Sequence, residues 1–204
     1  MTFRSSILAA APLSLALAAC QLPQTGTADA PPPSEEAVTA ALADSRAAAG
    51  ALGSELMGAL ATAMAEGGPG AALPVCNEKA PEIAARLSTE RQVDIGRTAL
   101  RVRNPANAPD DWERAQLEAF VSAIAAGEAP AQMERHEVVR TAEGWQVRWM
   151  KPIVLQPMCA TCHGVDVDSG LAEVIHALYP QDKATGFQPG ELRGAFTARV
   201  DLPR

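Results

Sequence analysis

Apolar residues recur at helical spacing through the first third of the chain beyond residue 34. The recurring positions are Val38, Leu42, Ala49, Leu52, Leu56, Leu60 and Ala63. This pattern predicts one long helix over residues 35–66, capped by Ser34 and stopped at residues 67–70, which are three glycines and a proline. A second helical region is predicted over residues 71–88, interrupted at Pro81.

Apolar and polar positions alternate in the later part of the chain, which predicts strands. One strand is predicted over residues 95–103, and residues 135–141 and 145–155 form a predicted hairpin around Glu143 and Gly144. A final strand is predicted because apolar or small residues share one parity at Leu192, Gly194, Phe196, Ala198 and Val200.

A third helix is predicted between the first strand and the hairpin. Asp110 and Glu113 match a capping box, and Gly127 ends a helix that runs to Ala126. Pro152, inside a predicted strand, indicates a bulge or an edge position. The predicted buried face of this helix comprises Leu117, Phe120, Val121 and Ile124. Together the elements predict an α+β domain with helices on one antiparallel sheet of roughly four or five strands.

The first 34 residues have a different pattern. Arg4 precedes an apolar run over residues 7–18 that is too short to span a bilayer, and residues 17–20 match a bacterial lipoprotein cleavage box. We therefore predict a signal peptide over residues 1–19 and a lipid anchor on Cys20. The alternative is an ordinary secretory signal with an incidental cysteine.

Residues 20–34 are rich in proline and poor in apolar residues, which predicts an extended tether before one domain over residues 35–204. Gln21, in place of an aspartate, favours the outer membrane over the inner, so we expect a periplasmic, lipid-anchored protein. The formal net charge of −7 argues against nucleic-acid binding, which needs a basic surface.

The segment Cys159-Ala160-Thr161-Cys162-His163 matches the c-type haem-attachment pattern. Two thiols one helical turn apart can bond to the two vinyl groups of one porphyrin, and His163 can then ligate the iron. A zinc site would need a further strong ligand, and a thioredoxin-like pair would need a surrounding βαβ unit. The motif therefore predicts one covalent haem c.

Haem c iron commonly has a second axial ligand, and the residues alone leave it open. Cys76 is the odd thiol in an oxidising compartment, and it could equally be a small buried hydrophobe. The candidates are Met57, Met64, Met133, Met150, Met158, His136, His176 and Cys76.

Several segments carry a resemblance to a known family. They are residues 75–84, 95–98, 103–113, 157–164, 179–187 and 190–196. In them the chain resembles the c-type-haem sensor domain with a PAS-like fold, found as exported proteins and as extracytoplasmic input modules of histidine kinases and chemoreceptors. The resemblance implies a PAS-like antiparallel sheet flanked by helices, with a long N-terminal helix. It also implies that Cys76 is the distal ligand opposite His163.

A His/Cys pair of ligands favours ferric iron, and we expect reduction to release Cys76 and open a site for a diatomic gas. We therefore predict a redox or gas sensor that works with a periplasmic redox or signalling protein. A low-potential electron carrier is the alternative, and a haem enzyme has little support because no acid–base pair suited to peroxide cleavage is evident.

Candidate partners of the haem propionates are Arg97, Arg101, Arg103, Lys151 and Arg193. Residues that could wall the pocket, or belong to the ordinary core, are Trp112, Trp145, Trp149 and Phe196.

Overall fold

The computed structural model describes Met1 and residues 31–202. The predicted signal peptide, the predicted lipidation site Cys20 and residues 21–30 of the tether lie outside the described residues, apart from Met1. All structural statements below concern the described part of the chain.

Helices flank one antiparallel sheet in an α+β arrangement, which confirms the predicted class. A π-helical turn, Val75–Lys79, joins the first two helices. In chain order the elements are α1 (Glu35–Pro74), α2 (Ala80–Arg91), β1 (Asp94–Thr98), α3 (Asp111–Ala125), β2 (Arg135–Arg140), β3 (Trp145–Val154), α4 (Ala160–His163), α5 (Ser169–Leu178) and β4 (Leu192–Leu202).

The four described strands form one antiparallel sheet in the order β1-β4-β3-β2. The predicted first strand is too long, because the chain leaves the sheet after Thr98 and Arg103 instead forms an interior ion pair. Pro152 is tolerated in β3 because β2 pairs with that strand only as far as Met150. A register shift follows at Ile153, so the predicted bulge is confirmed.

Helix α1 covers one face of the sheet with small and branched residues. Ala48, Ala49 and Leu52 pack in one core with Trp149 and Ala198 of the central strands. The predicted stop at residues 67–70 is a kink instead, with φ of −150° at Gly67 and +67° at Gly68, after which the helix continues to Pro74. Glycine permits this left-handed conformation at little steric cost.

The helical run Glu35–Arg91 contains a stretch long and apolar enough, by length and composition alone, to cross a membrane. Core helices of soluble proteins and signal sequences share this property, and 17% of this stretch is buried in the structure.

Helix α3 covers the opposite face of the sheet, and the predicted capping box between Asp110 and Glu113 is confirmed. Leu117 and Phe120 are fully buried, together with Met150 of β3. Val121 is 44% exposed, so its predicted burial is wrong. The buried face is centred on the row of Glu113, Leu117 and Phe120, which leaves residue 121 at its margin.

Candidate functional site

The Cys-Ala-Thr-Cys-His segment forms one compact turn at the end of β3, which we call the attachment turn after the role predicted for its cysteines. A 3₁₀ turn over Pro157–Cys159 leads directly into α4, so the two thiols stand about one helical turn apart, as expected. Gly164 ends the turn, and a Cβ there would lie 2.4 Å from the carbonyl oxygen of Ala160. A larger residue at this position would therefore force the attachment turn open.

One pocket of about 240 Å³ brings the candidate ligands together. Cys76, Cys159, Cys162 and His163 all line it, although Cys76 is distant from the other three in sequence. All three cysteines are free thiols and half-buried. Apolar side chains of the second half of α1 and of the end of β3 form much of the remaining wall, including Leu56, Leu60, Met64, Ile153 and Leu155.

Cys76 lies on the π-helical turn between two proline-bounded helices. Pro74 is the last residue of α1 and Pro81 lies in the first turn of α2. Burial raises the pKa of the Cys76 thiol, and the positive charges of Arg97 and Arg103 oppose that rise. π-Helical turns are rare and occur frequently at functional sites, and this one brings a sulfur atom to the pocket.

The imidazole of His163 is oriented by the backbone. Its Nδ1 lies 2.7 Å from the carbonyl oxygen of Ala184. A carbonyl oxygen can only accept, so Nδ1 carries the proton and Nε2 is the nitrogen with a free lone pair. Arg193 Nε lies 3.3 Å from the same Nδ1, so that approach is a contact between two donors, without a hydrogen bond. Burial, followed by the charges of Arg193 and Arg103, lowers the pKa of His163 to about 3.

Three arginines line the pocket, and no Asp or Glu among the described residues does so. Arg103 has a carboxylate partner outside the lining, Asp182, at 3.1 Å. The Arg97 guanidinium makes no hydrogen bond or ion pair within the described part of the chain. Burial and the charges of Arg103 and Arg97 lower the pKa of Arg193 to about 10, so its guanidinium stays charged at neutral pH. Two guanidinium groups of the pocket are thus left without a balancing carboxylate.

These features fit a haem. Within residues 31–202, no group of three or more His, Cys, Asp or Glu side chains converges closely enough to hold a bare metal ion. Instead, the candidate ligands surround an apolar pocket with two unbalanced cations. A porphyrin would place apolar surface against these walls, and its two propionates would match the two cations.

The pocket separates the candidate distal ligands into two groups. Met57, Met64 and Met158 line it together with Cys76. Met133 and Met150 belong instead to the core beneath α3, and His136 and His176 are exposed on β2 and α5.

Two of the predicted propionate partners lie away from the pocket. The Arg101 Cζ atom lies 3.9 Å from the centre of the Phe187 ring, and Lys151 Nζ donates to the Ala131 carbonyl oxygen at 2.6 Å.

The aromatic residues suggested as a pocket wall also lie elsewhere, because they pack in or against the cores between the sheet and the helices. These residues are Trp112, Trp145, Trp149 and Phe196.

Sequence reasoning missed Tyr179, the single tyrosine of the chain, which is buried and lines the pocket. It also missed Asn104 and Asn107 in the loop after β1. For Leu56 and Leu60, helical periodicity indicated burial, but it could not show that they face a pocket.

One comparison with known proteins identifies a family, and another finds a similar fold. A family model described as Tll0287-like matches residues 22–201. Among solved structures, one titled the crystal structure of the cyanobacterial heme-protein Tll0287 is similar, with a TM-score of 0.56 and 19% sequence identity. The match covers 84% of this chain and 98% of that chain. No curated protein matches the chain.

Proposed function

Because this chain belongs to the Tll0287-like family, we propose that it binds one haem c in the pocket between α1, the π-helical turn and the attachment turn. The structural neighbour is described as a heme-protein. The observation that carries the proposal is that Cys76, Cys159, Cys162 and His163 line the same pocket. Bound haem would supply a redox-active iron that can also bind diatomic gases.

Each of these side chains has a distinct role in the proposal. Cys159 and Cys162 form the thioether links, and His163 offers Nε2 to the iron because Nδ1 is held by Ala184. Cys76 would offer its sulfur as a second ligand of the iron. Covalent attachment through the two thioether links would keep the group in place if His163 or Cys76 moved.

Arg97 and Arg193 are the proposed partners of the propionates. Both line the pocket, and neither has a carboxylate partner among the described residues. A guanidinium matches carboxylate geometry with two parallel hydrogen bonds, so each arginine can hold one propionate. Arg103 is already engaged with Asp182 at 3.1 Å.

We propose that this site works as a redox or gas sensor, and the position of Cys76 supports this role. The thiol lies on a five-residue π-helical turn, where a local return to α-helical bonding would move it without disturbing the main core. Movement of Cys76 away from the pocket would open one axial position to a small ligand. The same movement would displace the junction of α1 and α2, which provides an output to a partner protein.

Low-potential electron transfer is the second candidate. Met57 and Met158 line the pocket and are 41% and 45% exposed, so the pocket edge is accessible to a redox partner. A fixed pair of axial ligands would suit this role, because ligand change slows electron exchange.

We further propose that a lipid on Cys20 anchors the protein in the periplasm. The tether meets the fold at Pro31, whose carbonyl accepts a 2.9 Å hydrogen bond from Trp145 Nε1. Trp145 begins β3, whereas Ile153 and Val154 at the other end of that strand line the pocket. A tether attached there leaves the pocket edge facing away from the attachment point and open to a periplasmic partner.

The first test of the haem proposal is covalent attachment. We expect the wild-type chain, expressed with haem-attachment machinery, to gain the mass of one haem on the peptide around residue 159. The double variant Cys159→Ala/Cys162→Ala should gain none, whereas Cys76→Ala should keep the mass gain and change the ferric spectrum. Colourless wild-type protein would refute the haem site, and an unchanged Cys76→Ala spectrum would refute the distal assignment.

Ferric and ferrous spectra separate the two candidate functions. If Cys76 leaves on reduction, the ferrous form should bind carbon monoxide rapidly. A ferrous form that keeps both axial ligands and excludes carbon monoxide would favour electron transfer.

A further inference from the structure

Arg103 and Asp182 form the most buried of the described ion pairs, with side chains 7% and 9% exposed. Sequence reasoning considered Arg103 only as a partner of a propionate. A buried pair of this kind needs further hydrogen bonds to offset its desolvation, and here those bonds lead to the attachment turn.

The pair joins two segments that carry the site. Arg103 Nη2 donates to Asp182 Oδ2 and also to the carbonyl oxygen of Cys162 at 2.6 Å. Asp182 Oδ1 in turn accepts the backbone N–H of Ala184 at 2.8 Å. The second cysteine of the motif is therefore connected through one guanidinium and one carboxylate to Ala184.

Ala184 is the residue whose carbonyl accepts the Nδ1 proton of His163, at 2.7 Å. Its position depends on the turn that Asp182 caps, because Asp182 and Ala184 are two residues apart. Backbone hydrogen bonds from Phe187 to His163 and from Gly186 to Gly164 hold the neighbouring part of this loop independently of Asp182. Loss of Asp182 would thus loosen Ala184 while the remainder of the loop stays attached.

We infer that the Arg103–Asp182 pair is a positioning device for His163. It holds the Ala184 carbonyl where it keeps the proton on Nδ1, so that Nε2 remains the free nitrogen. That Nε2 binds haem iron rests on the proposed function. The preferred tautomer is a property of the chain alone, and it can be measured without haem.

The test is ¹⁵N NMR of the imidazole in the full chain expressed without haem-attachment machinery. The chain has three histidines, and His136→Gln with His176→Gln removes the two exposed ones, so only His163 contributes signals. We expect the Nδ1–H tautomer to dominate. Asp182→Ala should shift the tautomer ratio towards Nε2–H by about fivefold. This is the change expected when the Nδ1–H tautomer loses the net free energy of one hydrogen bond.

Three further variants control this experiment. Asp182→Asn keeps an oxygen for the Ala184 N–H and should shift the ratio less than Asp182→Ala. Arg103→Lys keeps the charge, but its ammonium group ends one bond short of the Nη2 atom that makes both hydrogen bonds, so we expect an intermediate shift. Asp166→Ala, at an exposed site three residues after His163, should change nothing.

The outcomes are distinct. A dominant Nε2–H tautomer in the parent chain would overturn the inference, as would Asp182→Ala protein that keeps the parent ratio while losing stability. If Asp182→Ala does not fold, the ratio of the two His163 tautomers in Asp182→Asn and Arg103→Lys tests the inference instead. In matured protein, Asp182→Ala should retain the covalent mass gain with a smaller low-spin ferric fraction. If the parent chain takes up no haem but the tautomer ratio moves as expected, the proposed function fails and the positioning role stands.

Discussion

Two groups of arginines on this domain differ in how their charges are balanced. The pocket cluster comprises Arg97, Arg103 and Arg193, for which the described residues supply one carboxylate partner, Asp182. The sheet cluster comprises Arg148 and Arg199, which are directly opposite each other on β3 and β4. Like charges at paired positions of a sheet repel, so the sheet cluster needs anions between its members.

Helix α3 supplies those anions. Asp110 accepts from Arg148 at 2.5 Å and from Arg199 at 3.1 Å, and Glu113 lies within 3.9 Å and 3.4 Å of the same two guanidinium groups. Asp94 adds a third carboxylate near Arg199. An orphaned Nε atom occurs in both clusters, at Arg103 and Arg148, so this feature does not distinguish them. The number of carboxylate partners distinguishes the two clusters. The charges of the sheet cluster are balanced within the protein, whereas the pocket cluster has the charge to suit an anionic ligand.

The largest effect is expected at Glu113, which is 3% exposed and holds the sheet cluster together. Glu113→Ala would remove the buried carboxylate from between the two guanidinium groups, leaving Asp110 to balance both, and would break the capping box of α3. We expect the free energy of unfolding, measured in urea, to fall by about 3 kcal/mol. Asp111→Ala, on the exposed side of the same helical turn, should cost far less. Equal losses in the two variants would show that the sheet cluster is not a structural unit.

The sequence predicted those parts of the molecule that depend on neighbouring residues. The capping box of α3, the hairpin and the attachment turn are all local patterns, and each is present. The pocket depends on contacts between distant segments, such as Arg103 with Asp182, which no periodicity encodes. The kink at Gly67 was predicted as a helix end because composition shows where helical geometry breaks, and the continuation beyond it depends on packing.

The aromatic residues show the same limit. Trp149 is fully buried between the sheet and α1, while Tyr179 lines the pocket. Both are large residues that sequence patterns assign to the interior without specifying which interior. Only the strand register and the path of the loop after α5 separate core residues from pocket residues.

The next effect concerns His163 in the chain without haem. Its pKa in the folded state is about 3, against about 6.5 in an unfolded chain, so the unfolded state binds the proton first as the pH falls. The lowered pKa of His163 therefore contributes to the free energy of unfolding fully above pH 6.5, and this contribution is lost as the pH falls towards 3. Between pH 7 and pH 5 we expect the free energy of unfolding to fall by about 2 kcal/mol.

Urea unfolding at several pH values measures this loss, and His163→Gln should abolish it. Arg193→Gln should weaken it, because the charge of Arg193 is the second cause of the lowered pKa after burial. This links the pH dependence to the unbalanced pocket cluster. His176→Gln, which alters an exposed histidine, should retain the full slope. A slope that survives in His163→Gln would assign the acid sensitivity to another group.

The smallest and most discriminating effect is expected at Arg97. In the chain without haem, Arg97→Gln removes one of three neighbouring cations that have a single carboxylate partner. The free energy of unfolding should therefore either rise or fall by no more than about 0.5 kcal/mol. In the matured protein the same substitution would remove the proposed hydrogen bond to a propionate and should cost about 1.5 kcal/mol.

Arg199→Gln is the matched control in the sheet cluster, where the partners belong to the protein and are present in both states. Its cost should be the same with and without haem, and Arg97→Lys should recover part of the loss in matured protein. An equal effect of Arg97→Gln in both states would mean that the pocket cluster does not bind an anionic ligand. The two clusters would then differ in their number of carboxylate partners but not in function. A loss confined to matured protein would instead identify Arg97 as a ligand-binding residue, because only a group absent from the unloaded chain can make its charge stabilising.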